Sequence, residues 1–169
     1  MGVTVASQLE RLARFIPGVA GYQDRENARA TDKEVRMRLV QEIGRLVKSV
    51  DDHKARLAEA RDFSALPRLD RLAGRLERLG RAVEFAGRGY SGLFDLHQVD
   101  TEVLDRLYAF DLGLFDVLSV VRARAEAVRA ADPAELAAAA LHMGEALDDF
   151  EQLWDQRRRV VDAGEGGTP

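Results

Sequence analysis

Three histidines, His53, His97 and His142, are the first residues to test for chemistry. A di-metal carboxylate centre in a helical bundle needs Glu-x-x-His pairs projecting inward from facing helices. None of these histidines has a glutamate three positions before it. Asp95-x-His97-x-x-Asp100 puts three donors in one short stretch, but a loop triad of this kind arises readily by chance. Asp51-Asp52 and Asp148-Asp149-x-Glu151 read as solvated helix faces. The segment Gly87-Arg88-Gly89-Tyr90-Ser91-Gly92-Leu93-Phe94-Asp95 has the glycines of a phosphate cradle. It lacks the Lys-Ser/Thr of a P-loop and follows no strand, so it reads as a connection whose Tyr90, Leu93 and Phe94 cap the core. With no cysteine, thiolate catalysis and thiolate zinc sites are excluded. There is no Gly-x-Ser-x-Gly elbow and no His-Glu-x-x-His. No metal, no cofactor and no catalytic residue is expected.

Asp111 is the polar residue whose position is hardest to explain as surface. It falls within an apolar arc of Leu104, Leu107, Leu114, Phe115 and Leu118. A lone carboxylate there would cost several kcal/mol, so burial requires a partner or protonation. The structural reading is a paired carboxylate, and the functional one is an acid facing a small internal pocket. The candidates are an arginine from the first long helix, an arginine from the third, or donors from Gly87–Gly92. His53 occupies a seam position between Val50 and Leu57, which reads as a buried or interface histidine with a hydrogen-bond partner. Arg68, Arg71, Arg75 and Arg78 form a stripe beside a leucine seam. Such flanking arginines usually pair with acids on a neighbouring helix, here Asp148, Asp149 and Glu151. The alternative is a recognition face for an acidic partner or anionic lipid. Arg88, Tyr90 and Tyr108 join the stripe as candidates for a partner or ligand face.

The elements that position these residues are helices. Val5, Leu9, Leu12 and Ile16 share one helical face and stop at Pro17-Gly18. Leu39, Ile43, Leu46, Val50, His53 and Leu57 alternate in steps of four and three, as a heptad seam does. Pro67 opens a third helix with the seam Leu69, Leu72, Leu76, Leu79, Val83 and Ala86. A fourth runs from about Asp100 to Arg129, with more than half its circumference apolar, so it must meet neighbours on two or three sides. Asp132-Pro133-Ala134-Glu135 has the form of a capping box. The helix it opens carries Leu136, Ala140, Met143, Leu147, Phe150, Trp154 and Val161, interrupted by Arg157. The expected architecture is all-α: an antiparallel bundle of four long helices with a short N-terminal amphipathic helix. Residues 1–22 form that helix and a Pro-Gly turn, 23–162 the bundle, and 163–169 a disordered tail.

A length of 169 residues suits one domain, and a formal charge of −4 argues against nucleic acid. No apolar run approaches a bilayer span, and no signal peptide is read. A cytoplasmic location is expected. Membrane contact through the first helix has weak support, since Arg11 and Arg14 are its cations.

Phe15-Ile16-Pro17-Gly18, Gly21-Tyr22, Gly89-Tyr90-Ser91-Gly92-Leu93-Phe94-Asp95 and Leu107-Tyr108-Ala109-Phe110-Asp111-Leu112 together resemble an uncharacterised family of small bacterial all-helical proteins. The resemblance spans roughly Leu9 to Val161. It implies a bacterial helical protein and nothing sharper, since that family carries no established activity, cofactor or catalytic residue. The function expected is a non-catalytic interaction or scaffold protein that self-associates or binds a partner helix. The competing reading is a small-ligand or metal-binding bundle with its site near Asp111 and Gly87–Gly92.

Overall fold

A computed structural model describes residues 5–18, 25–86 and 101–165, and every described element is helical. The order is α1 (Val5–Phe15), α2 (Arg25–Glu59), α3 (Leu66–Phe85), α4 (Thr101–Ala130) and α5 (Leu136–Glu165). At 1.5 Å per residue, α2 is about 50 Å long and α4 and α5 about 45 Å each.

The turns between paired helices have local causes. Arg61, at φ 59°, sits just past α2. Its N–H donates to the Ala58 carbonyl and that of Asp62 to Leu57, the paired bonds of a Schellman stop. The Asp62 carboxylate then accepts from the Ser64 N–H and hydroxyl, which holds it below the usual carboxylate range. At the other tip, Asp132 Oδ1 accepts from the N–H groups of Ala134 and Glu135, both at 2.9 Å. The carboxylate thereby satisfies two of the donors left open at the start of α5.

These stops fold the chain into two hairpins, α2–α3 and α4–α5, whose members pack extensively. The hairpins meet more loosely, α2 on α4 and α3 on α5. Asp32 and Asp111 share a partner on α5, and further along both helices Leu46 and Ser49 of α2 line one groove with Leu118 and Arg122 of α4, so α2 and α4 run parallel. The seams Leu39–Val50, Leu69–Val83 and Leu136–Trp154 line one continuous core. Gly113 allows close α4–α5 contact: a Cβ there would lie 3.1 Å from Leu153. α1 lies mainly on α4. Leu12 and Ile16 are buried, and Phe15 stacks on Phe115 with centroids 4.7 Å apart.

Thus α4 touches α5, α1 and α2, which accounts for its wide apolar arc. α5 continues to Glu165, beyond the expected boundary at 162. Helical bonding carries on about one turn past Val161, which is buried. Residues 166–169 lie outside the described residues.

Candidate functional site

Asp111 is fully buried, at 0% exposure. Its Oδ1 accepts from Nε of Arg157 at 2.6 Å. Arg157 is also at 0% and donates through Nη2 to Oδ1 of Asp32 at 2.9 Å. Asp32, at 2%, accepts in turn from Nε of Arg36 at 2.8 Å. Arg36 reaches the Glu84 carbonyl near the C-terminus of α3, the helix end that favours a cation. An alternating chain Arg36–Asp32–Arg157–Asp111 therefore ties all four long helices together at one level. The Arg157 guanidinium also lies 5.6 Å from the Trp154 ring centroid, within cation–π range.

Arg157 of α5 is a partner of Asp111, one that the sequence reading did not name beside an arginine of α2 or α3. Arg157 stands three residues after Trp154 and four before Val161, so the seam runs through it instead of being interrupted by it. Asp32 holds the matching position on α2, since the seam extends backwards from Leu39 through Val35 to Asp32. Pairing of buried charges is what low dielectric demands, and this chain supplies a structural reason for the carboxylate. Tyr108, grouped with the face candidates, is a core residue at 1% exposure. It lies one turn before Leu112, on the side of α4 turned inward.

The arginine stripe divides. Arg75 pairs with Asp148 at 2.5 Å and Glu151 at 3.1 Å, across the α3–α5 seam. Arg71 is exposed and has no acid at ion-pair distance among the described residues, another departure from expectation. It sits one turn from Arg75 and so misses the level of those acids. Arg68 and Arg78 are also exposed without an acid partner among the described residues. Arg88, Tyr90, the Gly87–Gly92 segment and Asp95, His97 and Asp100 lie outside the described residues. Among the described residues, no group of three or more His, Asp or Glu is placed to hold a metal ion.

His53 is buried at 7% exposure near the opposite end of the bundle. Its Nδ1 is 3.4 Å from Nη2 of Arg56, and its Nε2 has no hydrogen-bond partner among the described residues. Burial first, then the Arg56 and Arg129 guanidinium groups, hold its imidazole below the ordinary value. The unfolded chain therefore takes up this proton more readily than the folded one. Stability from the neutral ring is complete above the unfolded value of about 6.5 and is lost as pH falls through the folded value. Urea midpoints should fall between about pH 7 and about pH 5, and His53→Gln should flatten that slope. Identical slopes for the two proteins would remove this role.

A groove lies between α2 and α4, continuing the track of α1. Its volume is about 300 Å³. Phe15 and Phe115 line it together with Leu46, Leu118 and Ala125, and Ser49 and Ser119 add hydroxyls. Arg38, Glu42 and Arg45 contribute from α2, with Arg122 and Glu126 from α4. Glu42 pairs with both Arg38 and Arg45, and Glu126 with Arg129. Arg122 has no acid partner among the described residues, so the lining is basic in excess although the chain is acidic overall. Sequence reasoning missed this groove because it depends on which helices become neighbours.

No protein-family model matches the chain, and neither curated proteins nor solved structures give a match. No helix among the described residues is long and apolar enough to cross a membrane.

Proposed function

We propose that the chain is a non-catalytic helical interaction protein that takes a partner's amphipathic helix into the α2–α4 groove. The observation that carries the proposal is the groove beside an already docked helix. α1 supplies Leu12 and Ile16, an i, i+4 pair, and Phe15 as its apolar contacts, and the groove extends past Phe15 over Leu46, Leu118 and Ala125. Recognition of a helix through such spaced anchors is a common mode of peptide binding. The basic excess at Arg38, Arg45 and Arg122 favours a partner with acids flanking its apolar face. Residence in a reducing cytoplasm, read from the lack of cysteine, belongs to the same proposal.

The test is a titration with a helical peptide carrying leucines at i and i+4 flanked by glutamates, followed by methyl NMR. Shifts should concentrate at Leu46, Leu118 and Ala125, and Arg122→Glu should weaken binding. Shifts scattered over the surface, or none up to about millimolar peptide, would contradict the proposal.

A further inference from the structure

The groove between α2 and α4 has unlike ends. One lies at the C-terminal end of α1, whose last residue, Phe15, lines it. The carbonyls that end a helix lack intrahelical donors and carry a partial negative charge. At that end Arg38 and Arg45 share Glu42, and Arg14 is exposed on the side of α1 away from the buried Leu12 and Ile16.

The other end is basic. Seven residues, about two turns, past Leu46, Ser49 and Arg122 stand His53, Arg56 and Arg129, so the rows that line the groove continue to them. Nη2 of Arg56 lies 3.4 Å from Nδ1 of His53. Burial, then Arg56 and Arg129, lower the pKa of His53, so guanidinium groups from facing helices stand near one ring. Both arginines are exposed. The nearby acids are engaged, Glu126 by Arg129 and Asp52 by Lys48. Arg56 and Arg122 have no acid at ion-pair distance among the described residues.

We infer that the groove fixes the direction of the helix it takes, with that helix's first turn against the end of α1 and an acidic last turn between Arg56 and Arg129. The inference rests on helix docking in the groove, the proposed function. A helix lying this way sets its positive end against the negative end of α1, and its negative end, with its carboxylates, against the arginines. The reverse direction sets carbonyls against carbonyls and N–H groups against guanidinium groups. α4 covers about 21 Å from Phe115 to Arg129, so the partner is a helix of about four turns.

A pair of peptides of about 16 residues tests this against the full chain. Both carry leucines at i and i+4. One has glutamates in its last turn, and the other is the same sequence reversed. Fluorescence anisotropy gives the affinities, and a nitroxide on either end of the peptide locates that end by broadening nearby methyl signals. The peptide with the acidic last turn should bind at least about tenfold more tightly. Its C-terminal nitroxide should broaden Leu57 and Ala125, and its N-terminal one Ile16. In a chain carrying both Arg56→Glu and Arg129→Ala, changes at exposed residues, the preference should vanish, with circular dichroism verifying the fold. Equal affinities, broadening in the opposite sense, or a preference that survives the double substitution would overturn the inference and leave the groove as a helix site. Binding of neither peptide up to about millimolar would overturn both.

Discussion

Arg157→Ala should lower the stability of the chain by about 3–5 kcal/mol, the range seen when one partner of a buried ion pair is removed. Arg157 is at 0% exposure between Asp111 at 0% and Asp32 at 2%. Its removal leaves two carboxylates facing each other in low dielectric. Asp32 keeps Arg36, and Asp111 loses the guanidinium at 2.6 Å. The cost comes from carboxylates that stay in low dielectric with less compensation rather than from any large net stabilisation by the pair. A second variant separates these ideas. Replacing the three together, with Arg157→Met, Asp111→Leu and Asp32→Leu, should give a protein within about 2 kcal/mol of the parent, or more stable. Arg36 can then turn toward water, because it is only part-buried. Urea unfolding followed by circular dichroism measures both, with an unchanged slope verifying that the native state is comparable. An Arg157→Ala cost below about 1 kcal/mol would mean that water reaches these groups.

Leu12→Asp should undock α1. Leu12 is buried at 0% exposure, so a carboxylate placed there is taken out of water. Arg11 pairs outward with Asp116 at 3.7 Å across an exposed surface, and such contacts contribute only about 0–1 kcal/mol. The Phe15–Phe115 stack alone will not hold 11 residues of helix, since stacked rings add about 0.5–1.5 kcal/mol beyond their burial. The expected result is local. Trypsin cleavage after Arg11 and Arg14 should accelerate by about tenfold or more, while α2–α5 remain helical. The melting temperature should drop, because Phe115 and Leu118 lose their cover. Equal cleavage rates in the parent and variant would mean that α1 is not held by this contact.

Much of the fold was legible because heptad spacing leaves little freedom. The seams of α2, α3 and α5 predicted the buried leucines almost residue for residue, and Asp132 marked the start of α5 through its capping chemistry. Burial of Asp111 followed from the residues around it. Its partner did not, because an arginine in an apolar register looks like a break until the facing acids are known. Register alone would have flagged Arg157 and Asp32 together, as charged residues of opposite sign on two seams. The unequal fates of Arg71 and Arg75 depend on the axial offset of α3 against α5, which no single helix encodes. The α2–α4 groove was hidden for the same reason: it arises where two hairpins meet loosely and α1 covers only part of the gap.

The most direct test of a partner helix in that groove is photo-crosslinking in the native host. A photoreactive residue at Ser119 or Ser49 should yield a discrete crosslinked protein. Placed at Lys33, an exposed residue outside the groove lining, it should not. Adding Arg122→Glu, a change at an exposed groove residue, should weaken the product strongly. The crosslinked partner segment should carry apolar residues at helical spacing with flanking acids. A product equally strong from Lys33, or no product from either serine while the chain is present and folded, would contradict the account.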